Sequence, residues 1–312
     1  MSTERKSLHA YRAPKYWPAW LGLGCLRLVC LLPHRAALGV GRLLGYLVHL
    51  FARERRAIVR RNLELCFPEL PIAERDALAR QHFAALGMSV IEMGLGRWAS
   101  DATMLKLSTL ENLEIFRAAA SRGRGVILLG AHFTTTEISG RAVRLAGVPF
   151  DAVFRRNRSE FITELLRTGR ERSAEATIEK REIKLMVRRL RAGGTVWYAP
   201  DQSYKRKGAE VVPFFGVPTM HMTATATLAR LGNAVVVPFL PRRTADGSYV
   251  LRFLPPFENF PSDDPIADVM RYVHILEDHI RLCPEQYFWI HRKFKDLPDS
   301  YPDYYADLDA LK

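Results

Sequence analysis

From residue 125 to residue 282, short apolar runs alternate with charged stretches of helical period, and nothing else in the chain limits its fold so narrowly. Residues 125–130, 148–154, 195–199, 234–240 and 249–254 read as strands. Residues 134–145, 159–172, 181–191, 222–231 and 264–282 read as helices, after a long one over 72–98. Gly193-Gly194 and Gly232 stand where helices should stop. Alternation of this kind predicts an α/β fold, with a mixed, largely parallel central sheet flanked by helices. The 312 residues, 48% hydrophobic and 25% charged, are enough for such a core and exclude wholesale disorder.

The first sixty residues differ in kind. Residues 17–32 form a mostly apolar run of sixteen, broken by Arg27 and stopped by Pro33. At ~1.5 Å per residue the run reaches about 24 Å, short of a ~30 Å hydrocarbon core. Trp17 and Trp20 suit a membrane interface. Residues 35–51 have helical period, with Arg35, Arg42, His49 and Arg56 seven apart and leucines over the remainder. Net charge is +13, and residues 1–61 hold twelve basic against two acidic side chains. Arg53, Arg55, Arg56, Arg60 and Arg61 suit anionic lipid heads. Residues 1–61 are expected to be N-terminal membrane-anchoring helices, by span or by insertion, and 62–312 the α/β domain.

Residues 155–207 are a second basic zone, fifteen basic against seven acidic, so two anionic partners are expected. Cys25, Cys30, Cys66 and Cys283 form no C-x-x-C pair and no metal-ligand spacing, so neither a disulfide framework nor a metal site is expected. A reducing compartment follows from the same pattern.

Chemistry concentrates at Gly130-Ala131-His132-Phe133-Thr134-Thr135-Thr136-Glu137. Five residues along a helix turn about 140° net, so His132 and Glu137 meet only if His132 precedes the helix. Thr134 as N-cap supplies that break; the same T-x-x-E also reads as a capping box in which Glu137 only caps. A neutral histidine held by a carboxylate is a competent general base. With no G-x-S-x-G or other nucleophile motif, the proton it removes belongs to a substrate hydroxyl. His132, Arg155, Asp201 and Arg242 each follow a predicted strand, which places them on the ligand-binding edge if those strands are parallel. Arg155-Arg156-Asn157-Arg158 and Lys205-Arg206-Lys207 are candidate phosphate grips, the lysine-rich one more simply a solvated turn. Phe214-Phe215 and Thr223, Thr225 and Thr227 fit core packing or an acyl groove.

Several longer motifs are diagnostic together: residues 61–69 (RNLELCFPE), His132-x4-Glu137, Val196-Trp197-Tyr198-Ala199-Pro200-Asp201, residues 237–243 (VPFLPRR) and Pro284-Glu285-Gln286-Tyr287. On them the chain resembles the late (secondary) acyltransferases of lipid A biosynthesis, most closely the Kdo-dependent lauroyltransferase branch. The resemblance implies a glycerolipid-acyltransferase-like fold and an acyl carrier protein thioester as donor. The implied acceptor is a 3-hydroxyacyl hydroxyl on a phosphorylated, Kdo-modified lipid A precursor. It also implies no cofactor and a place on the cytoplasmic side of a bacterial inner membrane. The family's dyad falls on His132 and Glu137, and its conserved arginine on Arg155. Where relatives have Tyr-Arg-Pro-Asn, this chain has Phe154-Arg155-Arg156-Asn157, a departure that bears on acceptor contacts rather than on the reaction. A related enzyme acting on another glycolipid or a phospholipid would keep the same dyad, and a thioester hydrolase would need no acceptor. A basic nucleic-acid-binding protein would leave His132 and Glu137 without a role.

Overall fold

The computed structural model describes residues 8–157, 159–204 and 208–311. Arg158 and the 205–207 basic run therefore lie outside the described residues. The chain opens with helices α1 (Trp17–Val29), α2 (His34–Phe51), α3 (Arg53–Cys66), α4 (Ile72–Trp98) and α5 (Asp101–Leu107). There follow β1 (Ser108–Glu111), α6 (Leu113–Ala120), β2 (Gly125–Leu129), α7 (Thr136–Leu145), β3 (Asp151–Phe154), α8 (Glu160–Arg170), β4 (Ala176–Glu179), α9 (Ile183–Arg191) and β5 (Thr195–Tyr198). A hairpin of β6 (Ala209–Phe214) and β7 (Val217–Met222) leads into α10 (Ala224–Gly232), β8 (Ala234–Arg243), β9 (Tyr249–Phe253) and α11 (Pro265–Leu282).

Seven strands form one sheet in the order β1-β9-β8-β2-β5-β3-β4. All neighbours in it are parallel except β8 and β9. This is the mixed, largely parallel sheet that the alternation predicts. Every residue of β2 is buried, as a central strand covered on both faces requires. Side chains alternate across it: Ile127 and Leu129 pack with α9, α10 and α11, while Val126 and Leu128 pack with α6 and α7. Each such side chain contributes roughly 1.5–3 kcal/mol of burial. Asp264 caps α11 by accepting from the Ile266 and Ala267 N–H groups, with Pro265 at the first turn.

The N-terminal helices join this body through small residues. A Cβ on Gly45 would lie 2.0 Å from the Phe83 carbonyl oxygen, and one on Gly87 2.0 Å from that of Gly41, so α2 and α4 touch backbone to backbone. Because α2 packs through Ala37, Leu38, Gly41 and Gly45, its larger apolar residues point outward: Leu43, Leu47 and Leu50 are exposed, and Phe51 is 82% exposed. The stripe expected to face lipid heads is partly engaged elsewhere. Arg35 donates to the Asp246 carbonyl, and Arg56 lies on α3 and donates to the His49 carbonyl. Among the described residues no helix is long and apolar enough to cross a membrane.

Candidate active site

Strands β2 and β5 are parallel neighbours in register, Leu129 opposite Tyr198. Three residues beyond Leu129 comes His132, and three beyond Tyr198 comes Asp201, so the fold delivers both to the same sheet edge. They meet there. His132 Nδ1 lies 2.5 Å from Asp201 Oδ1, and the His132 backbone N–H donates to Asp201 Oδ2 at 3.1 Å. An ionised carboxylate only accepts, so Nδ1 carries the ring proton and Nε2 keeps a free lone pair.

The loop bearing His132 is fixed from several sides. Phe133 bridges to Tyr287; the Thr134 N–H donates to the Gln286 carbonyl at 2.9 Å, and the Phe288 N–H to the His132 carbonyl at 3.1 Å. Behind the loop, Gln286 exchanges bonds with the Arg243 backbone, and Arg243 forms a buried pair with Glu92 at 2.5 Å. Gly130 is required because a Cβ there would lie 2.6 Å from the Trp197 indole nitrogen.

The electrostatics follow. Burial among dense neighbours alone would depress the His132 ring. The charge and hydrogen bond of Asp201 outweigh it and leave the ring's pKa above its usual value, with Arg170 opposing and Glu137 assisting. Asp201 would be raised by burial, but His132 and Lys293 hold it well below the ordinary carboxylate range. Lys293, also buried, donates to the Asp201 carbonyl at 2.5 Å and meets His221 Nε2 at 3.2 Å. Burial pushes it down to about 8 against the pull of Asp201.

The carboxylate that grips His132 is thus Asp201, not Glu137 as the sequence spacing suggests. Glu137 sits in the first turn of α7, where Arg170 at the end of α8 donates to both its oxygens, at 3.1 and 3.0 Å through Nε. Glu137 reaches His132 through its field rather than a hydrogen bond. The helix does begin after His132, but not through a capping box: α7 starts at Thr136, Thr135 stands at the cap without a side-chain bond, and Thr134 is buried, accepting from Arg243 at 3.5 Å. The N–H groups of Phe133, Thr134 and Thr136 are all engaged by protein acceptors.

Three cavities border this centre. Two narrow apolar ones, of about 40 and 50 Å3, share Glu137 and Ser173. The first is walled by Gly140, Phe150, Trp197 and Arg170, and the second reaches Leu23 and Leu26 of α1. The third, of about 380 Å3, is polar and has Asp201 and Arg155 in its wall, with the 287–295 segment opposite α3. The expected residues therefore divide. Arg155 joins Asp201 at this cavity. The Asn157 N–H donates to the Thr163 hydroxyl at 3.0 Å, and Arg242 lies on β8 opposite Val250; neither is hydrogen-bonded to His132 or Asp201. Phe214 is core, packed in tilted contact with Tyr287, His221 and Phe294. Lys293 and Arg170 escaped the sequence reading because an isolated cation in a basic chain carries no local signature.

Comparison with known proteins is consistent over nearly the whole length. The profile of the bacterial lipid A biosynthesis acyltransferases matches residues 4–296. The lipid A biosynthesis lauroyltransferase of Escherichia coli K12 is 37% identical over 294 residues, covering 94% of this chain and 96% of that protein. The palmitoleoyltransferase of the same organism is 36% identical over 297 residues, covering 94% of this chain and 95% of that protein. A lipid A biosynthesis acyltransferase of Haemophilus influenzae is 37% identical over 295 residues, covering 93% and 94% respectively.

Proposed function

Given that the chain belongs to the bacterial lipid A biosynthesis acyltransferases, we propose that His132 is its general base, that Asp201 orients and charges it, and that a 3-hydroxyacyl hydroxyl on a Kdo-modified lipid A precursor is the nucleophile. The observation carrying this reading is the double clamp of Asp201 on His132, which leaves Nε2 free at the edge of the sheet. Nε2 takes the hydroxyl proton as the oxygen attacks the thioester carbonyl carbon. Positioned base catalysis contributes typically ~10²–10⁴-fold. The tetrahedral oxyanion needs donors. The His132, Phe133, Thr134 and Thr136 amides are engaged, and the Arg170 guanidinium, aimed by Glu137 into the apolar cavity's wall, is assigned that role, worth roughly 3–4 kcal/mol. The intermediate collapses, the C–S bond breaks, and the imidazolium returns its proton to the departing thiolate. The products are an ester on the lipid and a free thiol on the donor.

The donor is an acyl carrier protein thioester, and the basic zone over 155–207 suits an acidic carrier. Its acyl chain lies along the apolar cavities that meet at Glu137 and Ser173. Residues 1–61 hold the enzyme on the cytoplasmic side of a bacterial inner membrane, with the exposed leucines of α2 and Phe51 inserted among lipid chains. The test is mass spectrometry of lipid A precursor incubated with the protein and a panel of acyl-carrier thioesters. Addition of one acyl group, absent in His132→Ala, is expected; thioester consumption without an acylated lipid rejects the reading.

A further inference from the structure

The polar cavity beside Asp201 has more positive charge than the catalytic residues use. Arg55, Arg155, Arg292, Lys293 and Lys295 line it, against only Glu54 and Asp201. Asp201 is already committed to His132, and Glu54 is 3.9 Å from Arg292, beyond a hydrogen bond. Arg292 Nη1 donates to Asp309 at 2.7 Å, and Lys295 lies 3.4 Å from Asp296. Lys293 is held by a carbonyl and a neutral ring, not by a carboxylate. Arg55 makes one long bond, 3.4 Å, to the Ile290 carbonyl. Arg55 and Arg155, which have no carboxylate partner among the described residues, in the wall of a cavity of about 380 Å3 call for an anion of several oxygens.

The position of the cavity narrows the anion further. Arg55 comes four residues after Phe51, the most outward-pointing apolar side chain of α2. A headgroup entering past Arg55 keeps its acyl chains at that apolar face while its body passes along the wall that contains Asp201. A cavity of this volume holds a phosphorylated sugar.

We propose that this cavity is the headgroup site of the acceptor lipid, in which a sugar phosphate is gripped by Arg55, Arg155, Arg292 and Lys295. The assignment rests on the acyl-transfer reading and adds to it where the acceptor's phosphate sits. Arginine forks bind two phosphate oxygens at once, so the site fixes the lipid's orientation and with it which hydroxyl reaches His132.

Arg55→Glu and Lys295→Glu test this, since both side chains are exposed. Kinetics are measured on the full chain with detergent-dispersed lipid A precursor, either phosphorylated or stripped by phosphatase. Each variant is expected to raise KM for the phosphorylated acceptor about tenfold, with the donor KM unmoved. On the stripped acceptor, variants and unaltered protein should converge. Unchanged acceptor KM overturns the proposal, and so does a rise confined to the acyl-carrier donor, which would put the donor's phosphopantetheine in the cavity. Calorimetric binding of the phosphorylated acceptor reads the site without turnover. Tight, variant-sensitive binding without acyl transfer would fault the reaction assigned above and leave the headgroup site standing.

Discussion

Lys293 holds the main-chain carbonyl of Asp201 at 2.5 Å, while the carboxylate of the same residue holds His132 at 2.5 Å. His132 is therefore supported by a chain of buried polar groups that runs from His221 through Lys293 and Asp201 to the sheet edge. Such a chain places the imidazole more firmly than a loop could, at some cost in stability, because a buried ammonium has no carboxylate partner of its own.

That cost has a sign. The folded-state pKa of Lys293, about 8, is below its ordinary value near 10.4 in the unfolded chain. Between those values the unfolded state binds more protons, so this group's contribution to stability rises with pH. Lys293→Met removes the effect. The stability difference between variant and unaltered protein, from chemical denaturation, should shift toward the unaltered protein by about 3 kcal/mol or less between pH 8 and pH 10. Turnover should fall in the variant at every pH.

On the proposed path of the acyl chain, the apolar cavities set the length of the chain transferred. A Cβ on Gly140 would lie 3.4 Å from the Phe150 ring and 3.6 Å from Ser173, at the wall where the first cavity passes toward the second. Gly140→Leu fills that passage. Competition among thioesters of graded length should show preference moved toward shorter chains, with the shortest still transferred. An unchanged profile would place the chain elsewhere.

The proposed membrane attachment assigns the lipid contact to the outward face of α2. Leu50→Asp together with Phe51→Asp removes two side chains worth roughly 1.5–3 kcal/mol each on burial. Sedimentation with anionic vesicles should fall by at least tenfold, and activity on membrane-embedded acceptor should fall further than activity on detergent-dispersed acceptor.

The pair behind the His132 loop is structural. Arg243→Ala strands the buried Glu92 carboxylate, whose remaining partner is the Tyr249 hydroxyl at 2.9 Å. Loss of about 3–5 kcal/mol is expected by denaturation. Glu92→Gln with Arg243→Met, which leaves no unpaired charge, should recover much of it.

Much of this was legible in the chain. The period over 72–98 yields α4 residue for residue, and Asp264 with Pro265 marks the start of α11. The alternation yields five of the sheet's seven strands, because parallel strands buried on both faces are continuous apolar runs, but it misses β1 and β4, which are only partly buried. Helix α3 was hidden because its arginines read as a charge run: Ile58, Val59 and Leu63 are its buried face, too sparse to stand out. The β6–β7 hairpin was hidden by its prolines, Pro213 and Pro218, paired with each other in the ladder. At the site, the edge argument brought Asp201 near His132, but the partnership was not visible. The two are 69 residues apart and meet through strand register, whereas Glu137 is five residues away and draws attention by sequence proximity alone.

The most direct test is the pH dependence of kcat/KM in Asp201→Asn beside the unaltered enzyme. The proposed base His132 would act only when neutral, and Asp201 raises its pKa above the ordinary histidine value, so the unaltered enzyme should lose activity as pH falls through a midpoint above about 6.5. Without the carboxylate, burial and Arg170 prevail. The midpoint should then drop below that of the unaltered enzyme, and kcat should fall ~10²–10⁴-fold. An Asp201→Asn enzyme with the same midpoint and rate, beside a Glu137→Gln enzyme that loses both, would contradict the assignment.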